Sequence, residues 1–208
     1  MRISFFRTAI LAGAVAAFAG LPAAASAAVL LVDGSGQLTG ARNVDVGGKR
    51  FDVQFVDGTC TGLFGGCDEI SDFAFSNETD ATAAAQALLD QVFLDTPEGM
   101  FDSKPELTFG CSDIVSCTAF IPYALSAQGS PDSVGTANAL NFSPEFPDVV
   151  FGSGSALKGS DLSEGVISVY ALFTESVAGD VPTPGALSLL GLGLAGLAFV
   201  GRRRRGAA

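Results

Sequence analysis

The sequence has 208 residues and a formal net charge of −11, with 22 acidic residues, 11 basic residues and no histidine. All the acidic residues lie within residues 28–180, which contain only five basic ones, so this segment carries a formal charge of −17. A field of this sign repels nucleic acid and anionic lipid headgroups, and the lack of histidine excludes Ser–His and Cys–His catalytic pairs. In an exported protein, the acidic residues are most simply interpreted as a solvated surface.

The first 27 residues have the pattern of a secretory signal peptide. A basic start, "MRISFFR", precedes an apolar run that ends in small residues. Ala25 and Ala27 occupy the −3 and −1 positions of an A-x-A site, so we expect signal peptidase to cleave before Ala28, after export by Sec-type machinery. An uncleaved membrane helix is the alternative, which the short apolar core and Pro22 disfavour.

Residues 28–178 are predicted to form one acidic, mainly β or α+β domain, because β-rich runs alternate with Gly, Ser, Pro and Asp turns. The predicted strands are 28–32, a hairpin over 43–56 with a Gly47-Gly48 turn, 71–75, 105–111, 117–125, 148–152 and 165–173. The last run is apolar on both faces, which is typical of a strand covered on both sides. The stretch 126–147 is poor in periodicity and contains three prolines, which predicts a long surface loop.

One amphipathic helix is predicted over 79–95, with Thr79 capping its start and Asn77 also at the helix entry. Its apolar stripe consists of Ala81, Ala85, Leu88, Leu89, Val92 and Phe93. The stripe predicts packing on a sheet, with binding in a partner's groove as the alternative. The domain is therefore expected to be a sandwich-like β fold or an α+β layer with one packed helix.

Four cysteines fall in two short polar segments, "CTGLFGGC" and "CSDIVSC". An even number of cysteines after a signal peptide predicts disulfides, because exported proteins fold in an oxidising environment. Four cysteines allow three connectivities, and the short loops favour Cys60–Cys67 and Cys111–Cys117. A four-thiolate metal site is the alternative, but it lacks the C-x-x-C spacing.

Two groups of carboxylates are dense enough to be considered for chemistry. They are Asp68, Glu69 and Asp72, and Asp95, Glu98 and Asp102. Paired carboxylates catalyse glycoside hydrolysis, so either group could serve a secreted polysaccharide hydrolase. The second group, in "DTPEGMFD" (95–102), is also a weak candidate for calcium, which prefers oxygen ligands, although the EF-hand pattern is missing. We expect no catalytic residue and no other cofactor.

The segment 181–205 has three parts in a fixed order. It begins with Val181, Pro182, Thr183 and Pro184, continues with the uncharged run 185–201, and ends with Arg202, Arg203, Arg204 and Arg205. The prolines form a hinge that disfavours helix and is accessible to a processing enzyme. As a helix, the uncharged run would reach about 25 Å, the short end of a membrane span. By the positive-inside rule, the arginines stay cytoplasmic and the domain lies outside.

This order resembles the PEP-CTERM sorting signal of exported proteins in Gram-negative bacteria. The resemblance covers 181–205, with Thr183 where the name-giving motif has Glu. It implies recognition by a membrane protease/transpeptidase of the exosortase type, and a cargo linked to exopolysaccharide and biofilm. The central domain, from "FDVQFVDGTC" to "LTFGC", looks like a domain that recurs among such proteins, from which no activity carries over.

Together these features predict a non-enzymatic surface or matrix protein. It would pass through the inner membrane with its main domain outside, and end at the cell surface, in the outer membrane or in the extracellular matrix. Two alternatives stay open: a secreted carboxylate-dependent polysaccharide hydrolase, and a single-pass inner-membrane protein whose tail is never processed. The expected partners are signal peptidase, the export machinery, the exosortase-type enzyme and exopolysaccharide, but not nucleic acid.

Overall fold

The computed structural model describes residues 27–127 and 129–176, which form one mainly β domain with one long helix. The strands are β1 (Val29–Val32), β2 (Leu38–Val46), β3 (Lys49–Val56), β4 (Asp95–Thr96), β5 (Gly99–Met100), β6 (Ser116–Ala124), β7 (Ser133–Phe142), β8 (Val149–Leu157) and β9 (Ser168–Glu175). The helices are α1 (Cys60–Leu63), α2 (Glu78–Gln91) and the 3₁₀ segments Ile70–Asp72, Pro105–Leu107 and Leu162–Glu164. The predicted fold class is confirmed.

Seven of the strands form one sheet in the order β1-β2-β3-β9-β6-β7-β8, and β4 and β5 form a separate hairpin. Neighbouring strands of the large sheet pair antiparallel, except β6 and β9, which pair parallel. β9 lies in the middle of this sheet. Val169 and Phe173 belong to the core on one of its faces and Tyr170 to a cluster on the other. The two-sided burial predicted for 165–173 is therefore confirmed.

β2 and β3 form the hairpin that the sequence predicts. Gly47 and Gly48 make the two-residue turn with φ angles of 60° and 86°, which glycine adopts without a steric penalty. β2 begins earlier than predicted, at Leu38, because a bulge lets it continue past an irregular point. At that point, Asn43 has a φ of 58° and the register with β3 shifts.

α2 begins one residue earlier than predicted and has a different cap. The Asn77 side chain accepts a hydrogen bond from the Asp80 amide at 2.9 Å, whereas Thr79 lies inside the helix. The predicted Thr79 cap is therefore wrong, since Asn is a stronger N-cap than Thr, and the prediction of Asn77 as a helix-entry residue is confirmed. The helix ends at Gln91, before its predicted end, because the chain then turns into the β4–β5 hairpin.

The apolar stripe of α2 packs on one face of the large sheet, against β2, β6, β7 and β8. The buried residues of α2 and its C-terminal turn are Ala81, Ala84, Ala85, Ala87, Leu88, Val92 and Phe93, with Leu89 partly buried. Opposite them lie small residues of the sheet, including the fully buried Ala137 and Ala139. Small side chains on both elements let helix and sheet approach closely. Of the two arrangements expected, the domain adopts the α+β layer.

The predicted surface loop 126–147 is wrong, because most of it is strand. β7 (Ser133–Phe142) lies inside this segment and pairs with both β6 and β8. Most of the buried residues of β7 are small or polar, such as Gly135, Thr136 and Asn141. A search for alternating large apolar residues therefore does not detect this strand.

The predicted strand 71–75 is also wrong. The 3₁₀ segment Ile70–Asp72 occupies its start, and no described strand covers Phe73 to Phe75. Phe73 and Phe75 are both buried, but they join different hydrophobic clusters on opposite faces of the large sheet. Phe73 and Phe75 are therefore buried in alternation, as in a strand, but because the chain contributes to two clusters and not because it pairs with a neighbouring strand.

A third predicted strand, 105–111, is wrong for a similar reason. Pro105 starts a 3₁₀ segment, Pro105–Leu107, in keeping with the preference of proline for the first position of a helix. Only Thr108 forms a bridge, to Leu38 at the start of β2. The segment therefore contacts the sheet without extending it.

A second, smaller cluster lies on the face of the sheet away from α2. It consists of Cys60, Phe64, Cys67, Phe73, Val134, Ala156 and Tyr170. The ring of Phe64, which follows α1, packs edge-on against Tyr170 with centroids 5.4 Å apart. This cluster covers one end of that face, near α1.

Candidate functional site

Both predicted disulfides are present, Cys60–Cys67 and Cys111–Cys117. All four cysteines are almost fully buried. The first bond closes α1 over the smaller cluster, and the second joins the start of β6 to the loop before it. Buried disulfides of this kind are consistent with an extracellular protein, because such bonds persist in oxidising compartments.

The carboxylates of the first predicted group hold their own turn. Oδ2 of Asp72 accepts hydrogen bonds from the Asp68 and Glu69 amides, both at 3.2 Å. The Glu69 carboxylate in turn accepts a hydrogen bond from the Ser71 hydroxyl at 3.3 Å. Since these hydrogen bonds are all local, the group serves the fold of the loop between α1 and α2.

The second predicted group does not converge on one point. Asp95 accepts hydrogen bonds from the amides of Asp102 and Ser103, at 3.2 and 3.0 Å, and from the Ser103 hydroxyl. The Ser103 hydroxyl is the largest cause of a lowered pKa at Asp95. Glu98 lies in the β4–β5 turn and is exposed. Within 27–127 and 129–176, no three acidic or cysteine side chains come together as metal ligands would, so the three calcium candidates do not form a ligand set.

Asp102 instead lies beside a residue that the sequence did not single out. Its side chain is within hydrogen-bond reach of Asp148, which also accepts the Phe142 amide at 2.8 Å. Burial is the main cause that raises the pKa of Asp148, and the neighbouring carboxylate adds to it. The pairing joins the β4–β5 region to the start of β8, and no local signal at either residue predicts it.

A further carboxylate pair lies where β3 leads into α1. Burial, and secondarily the charge of Asp161, raises the pKa of Asp57, while hydrogen bonds from Ser163 lower the pKa of Asp161. One oxygen of Asp57 is buried and accepts no hydrogen bond from the described residues. The pKa values of the two carboxylates are therefore shifted in opposite directions, as those of a catalytic acid and base are. Neither residue, however, lines the cleft beside the Gly47-Gly48 turn.

A cleft of about 620 Å³ opens beside the Gly47-Gly48 turn and the end of β9. Its floor contains Phe51, Phe75 and Phe173, whose ring centroids are 5.2 to 6.1 Å apart. Lys49, Asp72, Asp80 and Glu175 are also among its lining residues. Its volume is in the range of small-molecule sites. Because the lining comes from separate segments of the chain, sequence reasoning missed it.

The second surface of interest lies on the side of the sheet away from α2 and borders the smaller cluster, against which Phe120 packs. We call it the open face. It consists of Thr118, Phe120, Asn138, Leu140, Phe142, Val149 and Phe151. These residues share a face because directly paired residues on neighbouring strands point the same way. None is fully buried, and Phe151 is 51% exposed.

The predicted terminal sites lie largely outside the described residues. Ala27 and Ala28 directly precede β1, but Ala25 and the rest of the signal peptide are outside. The hinge 181–184, the predicted span 185–201 and the arginines 202–205 are outside as well. Among the helices that the structure does describe, none combines the length and apolar composition needed to cross a membrane.

The chain matches no protein family, no curated protein and no solved structure.

Proposed function

We propose that this chain is an exported, non-enzymatic protein of the cell surface or extracellular matrix, sorted by its PEP-CTERM-like tail. The observation that carries the proposal is the pair of closed disulfides in a domain that follows a signal-peptide pattern. In the cytosol, cysteines are kept reduced, so two buried structural disulfides favour a domain that folds after export.

The tail supports the second half of the proposal. β9 ends at Glu175, so fewer than ten residues separate the domain from the apolar run that starts at 185. This short connection would keep the domain against the outer side of the inner membrane until the hinge at 181–184 is cut. The cut would release an acidic, soluble domain to the surface or to matrix polysaccharide, which is the destination that the PEP-CTERM resemblance implies.

Variants of the tail test the proposal. Replacing Arg202 to Arg205 with serine removes the charges that stop transfer, each of which costs about 2.5 to 3.5 kcal/mol at the bilayer centre. This variant should slip through the membrane or be mis-sorted. Replacing Pro182 and Pro184 with alanine lets helix extend over the hinge, so the uncut protein should accumulate in the inner membrane.

The matched control replaces Pro131 and Pro144, which are exposed in the described domain, with alanine. It should be sorted like the wild type. If the hinge variant reaches the wild-type compartment at the wild-type mass, the tail is no processing signal, and residues 181 to 205 act only as an anchor.

A further inference from the structure

We propose that Asp102, Asp148 and Asn141 form a binding site for one calcium ion. The site lies where the segment after β5 meets the end of β7 and the start of β8. It shares only Asp102 with the calcium candidates of the sequence, and the proposed function does not depend on it. The proposal is argued from two carboxylates in contact and from a buried amide oxygen that has no donor.

The two carboxylates come from distant parts of the chain but lie side by side. The Asp102 carboxylate is within hydrogen-bond reach of the Asp148 carboxylate, and both side chains are only partly exposed. When both are ionised, neither can donate a hydrogen bond, and their charges repel each other at short range. The contact therefore requires a proton or a cation between the two groups.

Asn141 adds an oxygen that has no partner. The residue is 0% exposed, and its Nδ2 donates a hydrogen bond to the Phe101 carbonyl at 2.7 Å, which fixes the orientation of the amide. Its Oδ1 is buried and accepts no hydrogen bond from the described residues. Because burial of an unpaired acceptor is costly, we expect this oxygen to meet a group that the described chain does not supply.

The strand register brings this amide to the two carboxylates. The β7–β8 ladder ends with the pair Leu140 and Val149, so the next step along both strands brings Asn141 opposite Asp148. Directly opposite residues on antiparallel strands share a face and have Cβ atoms about 4.5 to 5.5 Å apart. On its other side, the amide is bonded to the carbonyl of the residue directly before Asp102. The Asn141 amide is therefore held between the segments that carry the two carboxylates.

A cation satisfies these three groups better than a proton does. A single proton joins one donor to one acceptor, so it serves only two of the three groups. A proton shared by the carboxylates leaves the Asn141 oxygen unpaired, and a proton directed to that oxygen leaves one carboxylate without a donor. A cation binds several oxygens at once, and the formal charge of −17 on residues 28–180 attracts it.

The ligand chemistry selects calcium among the cations. All three groups offer oxygen, whereas zinc and copper favour nitrogen or sulfur ligands. Calcium accepts irregular arrangements of carboxylate and amide oxygens and completes its shell with water, but magnesium demands near-ideal octahedral geometry. The backbone at Asp102 is already held in place, because Asp95 accepts a hydrogen bond from its amide at 3.2 Å.

Calcium binding to the full chain, purified in detergent and freed of metal with a chelator, tests the proposal. Equilibrium dialysis at pH 7 should find one site with a Kd of about 10⁻⁴ to 10⁻³ M, the range of weak extracellular sites. Excess calcium should raise the unfolding temperature by a few degrees, because it binds only the folded chain. Magnesium should bind roughly tenfold more weakly or worse.

Two variants remove one charge each from the site. Asp148→Asn keeps an oxygen for the Phe142 amide, and it should weaken calcium binding roughly tenfold or more. Without calcium it should unfold at or above the wild-type temperature, because the contact between two carboxylates is gone. A purely structural role of Asp148 would instead lower that temperature. Asp102→Asn should behave in the same way, and it carries the test should Asp148→Asn fail to fold.

Glu98→Gln is the matched control, since it removes one exposed carboxylate from the β4–β5 hairpin and should leave calcium binding unchanged. The proposal is overturned if the wild type binds no calcium at pH 7, which is the result expected of a shared proton alone. It is also overturned if magnesium binds equally well, if both site variants bind calcium like the wild type, or if Glu98→Gln loses as much affinity as they do.

Discussion

Gly40 lies in β2 where the backbone of β3 comes very close. A β-carbon at this position would overlap the carbonyl oxygen of Val53, and the φ of 155° is one that other residues rarely adopt. We expect Gly40→Ala to lower the free energy of unfolding by about 3 kcal/mol, because neither backbone can move without breaking the β2–β3 ladder. Urea denaturation of the purified protein measures this.

Gly34→Ala is the matched control for that change. Its β-carbon would meet no heavy atom within 4 Å, in the turn that follows β1. The free energy of unfolding should change by less than about 0.5 kcal/mol. Equal destabilisation by the two variants would show that the β3 backbone does not lie as close to Gly40 as described.

The hydrogen bonds that Asp95 accepts predict that the stability of the domain depends on pH. Hydrogen bonds from Ser103 and from backbone amides hold its pKa below the ordinary 3.8, so the ionised form is favoured by folding. Its contribution to stability is therefore present above pH 3.8 and is lost as the pH falls through the lowered pKa. Because Asp95 is exposed and solvent screens its hydrogen bonds, Asp95→Asn should destabilise the domain by only about 0.5 kcal/mol at pH 7, and the difference from wild type should shrink in strong acid.

The control is Glu98→Gln in the same hairpin, since this carboxylate accepts no hydrogen bond from the described residues. Thermal unfolding followed from pH 7 to pH 2 distinguishes the two variants. An equal loss of stability with Glu98→Gln would mean that net charge, rather than the Asp95 hydrogen bonds, governs the effect.

At the scale of elements, each disulfide closes a short loop. Replacing Cys60 and Cys67 with alanine should lower the free energy of unfolding by about 2 to 3 kcal/mol in the chain-entropy model. The same change at Cys111 and Cys117 should have a similar effect, because the two sequence separations are 7 and 6 residues. Denaturation of the two double variants measures both. A loss well below 1 kcal/mol for either pair would contradict the structural role given to that bond.

The close contact between α2 and the sheet can be tested with one alanine on each side of the helix. Ala84 is fully buried against the sheet, whereas Ala83 is exposed. Ala84→Leu should destabilise the domain by about 1 to 3 kcal/mol through overpacking, and Ala83→Leu should have little effect. Near-equal unfolding midpoints for the two variants would show that α2 does not pack on the sheet as described.

The elements differ in how far the sequence predicts them. The β2–β3 hairpin and β9 are predictable because Phe51, Val53 and Phe55 alternate and Gly47-Gly48 marks the turn. β7 is not, because its buried positions facing α2 are Ala137 and Ala139, which do not give the alternation of large apolar residues that indicates a strand. Phe73 and Phe75 mimic a strand because the chain crosses between two clusters there.

For the whole molecule, the disulfide pairing can be predicted from the short spacing of the cysteines, but the cleft and the open face cannot be predicted from the sequence. The cleft and the open face combine segments far apart in the chain, and their residues become neighbours only through the strand order. The candidate calcium residues are close in sequence but do not form a site in the fold. Asp95 already accepts hydrogen bonds from backbone amides, and Asp102 lies beside Asp148.

The intact mass of the protein in each cell fraction, measured without reduction, tests the central claim most directly. We predict a chain that begins at Ala28 or within two residues of it, contains both disulfides, and is found outside the cytoplasm without residues beyond the 181–184 hinge. A chain that retains Met1 and four reduced cysteines in the cytosolic fraction would contradict the account.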